Sequence, residues 1–195
     1  MGTSQFPSTI FVLGTARNVG KTVTSIGIIA KLLSADYGYS LDDIGYMKPV
    51  GQETLTVRNG DGRTIQADKD AVVVTSLMKI HCPDYEMASP VVWRGGLTAS
   101  FIDESDSADP RVGRDAFLKK ICDAYCTVAH GKRIVIVEGT GQPGVGSVAG
   151  ISNGDVINTL ITAVSLQDER GCVIAFQGTI RDISARKRAQ EALAG

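Results

Sequence analysis

Gly14-Thr15-Ala16-Arg17-Asn18-Val19-Gly20-Lys21-Thr22 is the stretch that decides the fold, because it joins a strand pattern to a helix pattern. The apolar run from Ile10 to Leu13 precedes it, and apolar residues at helical spacing follow it over residues 23–33. A glycine loop ending in Gly-Lys-Thr between a strand and a helix predicts a phosphate-binding loop. Five residues separate its two glycines, where the usual motif has four. The alternative is an ordinary glycine turn with a solvated lysine.

The residue types of this loop suit phosphate chemistry. Backbone N–H groups and the positive end of the helix attract an anion, and Gly20 lets the backbone approach it closely. We expect Lys21 to reach the terminal phosphates and the Thr22 hydroxyl to hold Mg²⁺. The residues expected to contact the nucleotide are Gly14, Thr15, Asn18, Val19, Gly20, Lys21 and Thr22.

Two more apolar runs predict strands that deliver charged side chains to the same edge of a parallel sheet. Residues 44–50 predict the second strand, with Lys48 at its carboxyl end, where ligands bind in open α/β sheets. Residues 134–137 predict a buried strand that ends in Glu138, before a glycine-rich turn. A carboxylate at that position suits a second Mg²⁺ ligand. A solvated strand-end lysine and a charged strand cap are the alternatives.

Composition and charge limit the classes of function that we expect for the chain. The chain has 195 residues, 43% of them hydrophobic and 21% charged, which is ordinary for one globular domain. Its formal net charge of -1 gives no indication of nucleic acid or a membrane surface as partner. The apolar runs are too short to span a bilayer and the N-terminus lacks a signal pattern, so we expect a cytoplasmic location.

The four cysteines are expected to be free thiols in that setting. They are Cys82, Cys122, Cys126 and Cys172. Cys122, Cys126 and His130 fall on one face of a helix predicted over residues 114–129. We favour a half-buried helix face over a zinc site, because structural zinc needs a fourth ligand.

The remaining segments carry local signals. Residues 52–66 alternate around Asn59-Gly60-Asp61-Gly62 and predict a hairpin outside the main sheet. Asp68 or Asp70 is expected to cap a helix that runs to Met78. Gly38 is expected to end the first helix, and residues 103–109 predict a surface loop. Ser152 to Asp155 predict a capping box for a helix that runs to about Ala163.

Three motifs in order resemble the dethiobiotin synthetase family. They are the loop Gly14 to Thr22, the strand Gly45-Tyr46-Met47-Lys48-Pro49-Val50 and the strand end Val137-Glu138-Gly139-Thr140-Gly141. The resemblance covers about residue 8 to about residue 163. It implies ATP, Mg²⁺ and ring closure of a diamine with carbon dioxide, through a carbamate that ATP phosphorylates. Carried over by position, Lys21 and Lys48 are catalytic, and Thr22, Asp70 and Glu138 are metal ligands.

The sequence also departs from that family's pattern. The family usually has an acidic residue after Gly-Thr, where this chain has Ala16-Arg17, and its Gly-Ala-Gly-Gly is here Gly139-Thr140-Gly141-Gln142. The hairpin around Asn59 is unusual as well. These features are more similar to the family's ATPase-like relatives, including a domain attached to some phosphate acetyltransferases. A regulatory nucleotide-binding module without diamine activity therefore stays open.

The last residues follow a different pattern. Residues 164–193 resemble the final hairpin of a PAS sensor domain and the start of its signalling helix. We interpret the chain as an α/β domain of P-loop NTPase type over residues 1–163, apparently truncated, joined to a PAS-like tail with a β-hairpin and short helix over residues 164–195. A hairpin and basic helix without sensor ancestry is the alternative. A small-molecule second substrate, a homodimer and a role in a PAS-containing signalling protein stay open.

Overall fold

The computed structural model describes residues 7–82, 84–93, 110–141 and 145–163. The strands in these ranges are β1 (Ser8–Val12), β2 (Ile44–Met47), β3 (Val50–Gly51), β4 (Thr54–Arg58), β5 (Thr64–Asp68), β6 (Val91–Val92) and β7 (Ile134–Glu138). The helices are α1 (Lys21–Leu32), α2 (Lys69–Met78), α3 (Tyr85–Ala88), α4 (Pro110–Ala129) and α5 (Asn153–Ala163), with 3-10 turns at Leu41–Asp43 and Ser147–Ala149.

A parallel sheet of order β1-β7-β2 forms the centre of the described chain. Ser8 to Val12 pair with Ile134 to Glu138, and Ile44 to Met47 pair with the same strand from its other side. Every residue of β7 is buried, which explains its continuous apolar sequence. The expected α/β class, a parallel sheet with flanking helices, is confirmed.

Two layers of helices cover the two faces of this sheet. Alternate residues of β7 point to opposite faces. Val135 and Val137 belong to a buried cluster with residues of α4 and α5, whereas Ile134 and Ile136 belong to one with residues of α1 and α2. Because both faces are covered, ligands have access at the edge where the parallel strands end.

The second strand is shorter than its sequence predicts. It ends at Met47, and Val50–Gly51 pair instead with Val91–Val92 in a separate two-stranded sheet. Pro49 has no N–H to continue a strand ladder, and the Lys48 N–H donates to the carbonyl of Ala88 at 2.7 Å. The chain therefore leaves the main sheet at Lys48.

Trp93 follows this small sheet and packs into the core. Its backbone N–H donates to the Gly51 carbonyl at 2.7 Å. Its indole ring lies edge-on to the ring of Phe117, with the ring centroids 6.0 Å apart. Only 7% of Trp93 is exposed. The segment that leads to β4 is therefore connected, through Trp93, to helix α4.

Some of the helix ends predicted from the sequence are found in the structure, and others are not. The capping box is confirmed: Ser152 Oγ accepts from the Asp155 N–H at 3.3 Å, and the Ser152 N–H donates to Asp155 Oδ2 at 2.9 Å. Gly38 is not the cap of α1, which ends at Leu32 with Leu33 as C-cap. Gly38 has φ of 62° in the turn that follows.

The hairpin β4–β5 is confirmed as a unit separate from the main sheet, with Thr54 opposite Asp68. Helix α4 begins at Pro110, ahead of the predicted start. Cys82 and Cys122 are free thiols. The predicted loop at residues 103–109 and the PAS-like tail at residues 164–195 lie outside the described residues. Among the helices described, none combines the length and apolar character that a membrane crossing requires.

Candidate functional site

A cleft of about 310 Å³ lies at the carboxyl ends of the main strands. The glycine loop after β1, the segment after β2, the start of α2 and the turn after β7 surround it. Its lining residues are Arg17, Asn18, Gly20, Lys21, Thr22, Val23, Lys48, Gln52, Glu53, Asp68, Lys69, Asp70 and Gly141.

The glycine loop leaves the start of α1 open toward the cleft. Gly20 is the N-cap with φ of 89°, a left-handed conformation that glycine adopts without strain, and no side chain caps the helix. The first turn carries no acidic residue. A Cβ at Gly14 would lie 2.5 Å from Val19 Cγ2, so the loop packs tightly on itself. Free N–H groups at the positive helix end suit an anion.

Lys21 and Thr22 begin this helix inside the cleft. Lys21 is 8% exposed, and its ammonium donates to the Ala16 carbonyl of the loop at 3.5 Å. Of the predicted contact residues, Asn18, Gly20, Lys21 and Thr22 line the cleft. Gly14, Thr15 and Val19 belong to the loop but are not among the cleft-lining residues of the described chain.

Glu138 is fully buried at the end of β7 and held by three hydroxyl groups. Thr22 donates to its Oε1 at 2.9 Å. Ser25 and Tyr46 donate to its Oε2 at 2.7 and 3.0 Å. Burial, and then the charge of Glu138, raise the pKa of Tyr46 well above its usual value, so the phenol keeps its proton. These bonds leave Oε1 facing Thr22 and Lys48, which line the cleft, while Glu138 itself is not among the cleft-lining residues of the described chain.

Lys48 is a buried cation among acids rather than a solvated strand-end lysine. Its exposure is 5%; its Nζ donates to Asp70 and lies 3.5 Å from Asp68 Oδ1 and 3.7 Å from Glu138 Oε1. Burial would lower the pKa of Lys48, but these carboxylates outweigh it and hold the pKa above the ordinary lysine value. Lys48 therefore carries a positive charge at neutral pH.

Asp68 connects three parts of the site, a role for which the sequence predicts only a helix cap. Its Oδ1 accepts from the N–H groups of Asp70 and Ala71 at 2.9 and 3.3 Å, which confirms Asp68 as the N-cap of α2. Its Oδ2 accepts from the Gln52 N–H at 3.0 Å. A Cβ at Gly51 would lie 2.5 Å from the carboxylate, so glycine is required there. Burial, opposed by Lys48, raises the pKa of Asp68.

The turn after β7 is fixed by Asn153, which the sequence does not single out as a site residue. Asn153 Oδ1 accepts from the Thr140 N–H at 2.9 Å and from the Thr140 hydroxyl at 3.1 Å. A Cβ at Gly139 would lie 2.8 Å from this same oxygen. The first residue of α5 thus holds the backbone beside the cleft.

The donor set fits Mg²⁺ bound together with phosphate. Thr22, Asp70 and Glu138 offer hard oxygen ligands, and Lys48 shows that the acids hold a positive charge between them. Within the described ranges no three His, Cys, Asp or Glu side chains form a metal cluster by themselves. Mg²⁺ at a nucleotide takes one or two protein carboxylates and completes its shell with phosphate and water, so such a cluster is not needed.

Comparison with protein families agrees with this geometry. A family model described as an AAA domain matches residues 8–166. The chain belongs to this AAA domain family. The match contains all the elements that surround the cleft, from β1 to α5. The match supports a P-loop ATPase-like domain of nucleotide-binding type over these residues.

Within this AAA domain, several side chains that the sequence analysis did not assign to the site contact the residues around it. Ser25 and Tyr46 hold the predicted Glu138 from two other elements. Asp68 holds the backbone at Gln52, and Asn153 holds the turn that follows Glu138. The sequence contained one indication of the role of Asp68, because an acid directly before α2 lies at the edge of the sheet where ligands bind. Ser25 lies one turn after Lys21 on α1, the side that must face β7.

Proposed function

We propose that the protein binds ATP with Mg²⁺ and transfers the terminal phosphoryl group to a carbamate-type acceptor, as a dethiobiotin synthetase-like ligase. The observation that supports this most is the cluster around Lys48, which joins Thr22, Asp70 and Glu138 beside the phosphate loop. A buried lysine at this point has no role in nucleotide binding by the loop alone, but it suits an acceptor that meets the terminal phosphate.

In this proposal the loop N–H groups and Lys21 bind the phosphates. Thr22, Asp70 and Glu138 are the residues that would hold Mg²⁺, which neutralises and orients phosphate oxygens. Ser25 and Tyr46 keep the Glu138 carboxylate aimed at Thr22. Positioning and electrostatic stabilisation of this kind supply most of the catalysis in phosphoryl transfer.

Lys48 acts as a fixed charge rather than as a base. Its raised pKa keeps the ammonium protonated at neutral pH, so it has no lone pair to accept a proton. A buried ammonium can stabilise negative charge that moves between phosphate and acceptor. Its carboxylate partners hold it at the edge of the cleft while no anion is bound.

A second candidate is a regulatory nucleotide-binding module without diamine activity. It is favoured by Arg17, which lines the cleft at a loop position next to the one where the resembled ligases usually carry an acid. A signalling role that involves residues 164–195 also stays a proposal, as does a homodimer. ADP release that depends on the diamine and bicarbonate would favour the ligase; ADP release indifferent to both would favour the module.

Calorimetric titration with Mg-ATP tests nucleotide binding directly. Lys21→Ala removes the loop's phosphate-facing ammonium and is expected to weaken Mg-ATP binding by about 10- to 100-fold. Lys31→Ala is the matched control, since Lys31 is exposed at the far end of α1 and pairs with Asp36. Unchanged Mg-ATP affinity in Lys21→Ala would contradict the proposal.

A further inference from the structure

The basic side chains of the cleft differ in whether they have partners. Lys48 is surrounded by carboxylates, Lys69 pairs with Glu53 at 3.1 Å, and Lys21 donates to a loop carbonyl. Arg17 also lines the cleft, yet it forms no ion pair and no side-chain hydrogen bond with any residue that the structure describes. The charge of Arg17 is thus left for a ligand, in addition to that of Lys21, which the proposed function assigns to the phosphates.

Gly141 lets Arg17 and Gln52 approach each other at the cleft mouth. A Cβ at Gly141 would lie 2.9 Å from Arg17 Cγ and 3.1 Å from Gln52 Oε1. The aliphatic stem of Arg17 therefore lies against the backbone after β7, with its Nε 3.7 Å from the same point. The Gln52 N–H donates to the Asp68 carboxylate, which fixes the backbone beside Arg17 on that side of the cleft.

We propose that Arg17 and Gln52 form a binding site for an oxyanion, a phosphate or carboxylate group, at the mouth of the cleft. A guanidinium presents several N–H donors in one plane and matches both groups in a two-point contact. The Gln52 amide lies beside it with Oε1 nearest Gly141, and a half-turn of that amide would present its N–H₂ group to the anion as a neutral donor. The inference rests on the proposed function and extends it, because it predicts that the group bound at the mouth of the cleft is negatively charged.

The site adds a requirement to the second substrate: the part of the acceptor that faces Arg17 is expected to be anionic rather than an ammonium group. A diamine is doubly cationic at neutral pH, and Arg17 would repel an ammonium group placed beside it. An acceptor that carries a carboxylate or phosphate would instead gain a charged hydrogen bond. The anion has two sources that fit: the terminal phosphate of the nucleotide, or the acceptor's own carboxylate.

Calorimetry on the full chain separates these sources. The probes are Mg-ADP, Mg-ATP, inorganic phosphate and succinate, the last two with saturating Mg-ADP and again without nucleotide. Arg17→Gln is expected to bind Mg-ADP within about twofold of wild type and the Arg17-dependent anion at least about tenfold more weakly. Arg17→Lys keeps the charge and should recover part of the loss, and Arg58→Gln, at an exposed arginine of β4, is the control.

Each outcome has a definite meaning. Loss of Mg-ATP affinity alone identifies the terminal phosphate, and loss of succinate or phosphate affinity alone identifies the acceptor. The site is refuted if Arg17→Gln matches wild type for all four probes, or if a simple diamine binds wild type more tightly than succinate does. If wild type does not bind Mg-ADP, the proposed function fails, while the titrations without nucleotide still decide whether Arg17 binds an anion.

Discussion

The two oxygens of the buried Glu138 carboxylate have different partners. Its Oε2 accepts from Ser25 and Tyr46, and its Oε1 faces Thr22 and Lys48. The sequence predicts an acid at the end of a buried strand. It does not reveal the hydroxyl partners, because Ser25 and Tyr46 come from two other elements and have no fixed spacing to Glu138.

Glu138→Gln is expected to affect Mg²⁺ dependence more than stability. The amide keeps the shape and one acceptor, so the free energy of unfolding should fall by about 1–2 kcal/mol. The Mg²⁺ concentration for half-maximal ATP binding should rise by about 10- to 100-fold, the range for residues around a metal. Calorimetry at several Mg²⁺ concentrations and urea denaturation measure the two effects.

The control for this variant is Glu86→Gln, the same change at an exposed glutamate that pairs with Arg63. It should leave both quantities unchanged. A collapse of thermal melting in Glu138→Gln with intact Mg-ATP binding would show that Glu138 has only a structural role.

Two cysteines should be slow to react in the folded protein. Burial raises the pKa of Cys82 to about 11 and that of Cys122 to about 12, so little thiolate exists at pH 8. We expect iodoacetamide to alkylate Cys82 about 100-fold more slowly in the folded chain than in urea, and faster as the pH rises toward 11. Peptide mass spectrometry reads each site separately, and equal rates in both states would contradict the burial.

At the scale of elements, Asp68 joins β5, α2 and the segment after β3. Asp68→Ala removes the cap of α2 and the acceptor for Gln52, so we expect the free energy of unfolding to fall by at least about 2 kcal/mol. Asp68→Asn keeps one oxygen for the cap and should lose less. Urea denaturation measures both variants.

Asp36→Ala is the comparison for these variants, since Asp36 is exposed and pairs with Lys31. It should change stability little, as exposed ion pairs contribute little. If Asp68→Ala were as stable as Asp36→Ala, the three links through Asp68 would not contribute to folding.

For the whole molecule, nucleotide binding should appear as added stability. A ligand at a hundred times its Kd stabilises the folded state by about 2.7 kcal/mol, which for a chain of this size raises Tm by roughly 5–11 °C. At the same concentration, Mg-ATP should give this full shift in wild type and about half of it or less in Lys21→Ala, whose affinity is expected to be about 10- to 100-fold weaker. A shift of equal size in the variant would place the nucleotide away from the glycine loop.

The sequence predicted the convergence of the site better than its details. Parallel strands end at one edge, so Lys48 and Glu138 could be brought near Lys21 from order along the chain alone. Sequence order does not give neighbour order in a sheet, so the position of β7 between β1 and β2 was not predicted. The break at Pro49 was missed because apolar residues continue on both sides of it.

The packing of Trp93 has an optical consequence. It is the single tryptophan of the chain, and its backbone is bonded to Gly51, which touches the Asp68 carboxylate. We therefore expect a movement of Asp68, when the cleft fills, to change the environment of the indole through this one glycine. The wavelength and intensity of tryptophan emission should report occupancy of the cleft in real time, and the protein can be followed by stopped-flow fluorescence without an attached dye.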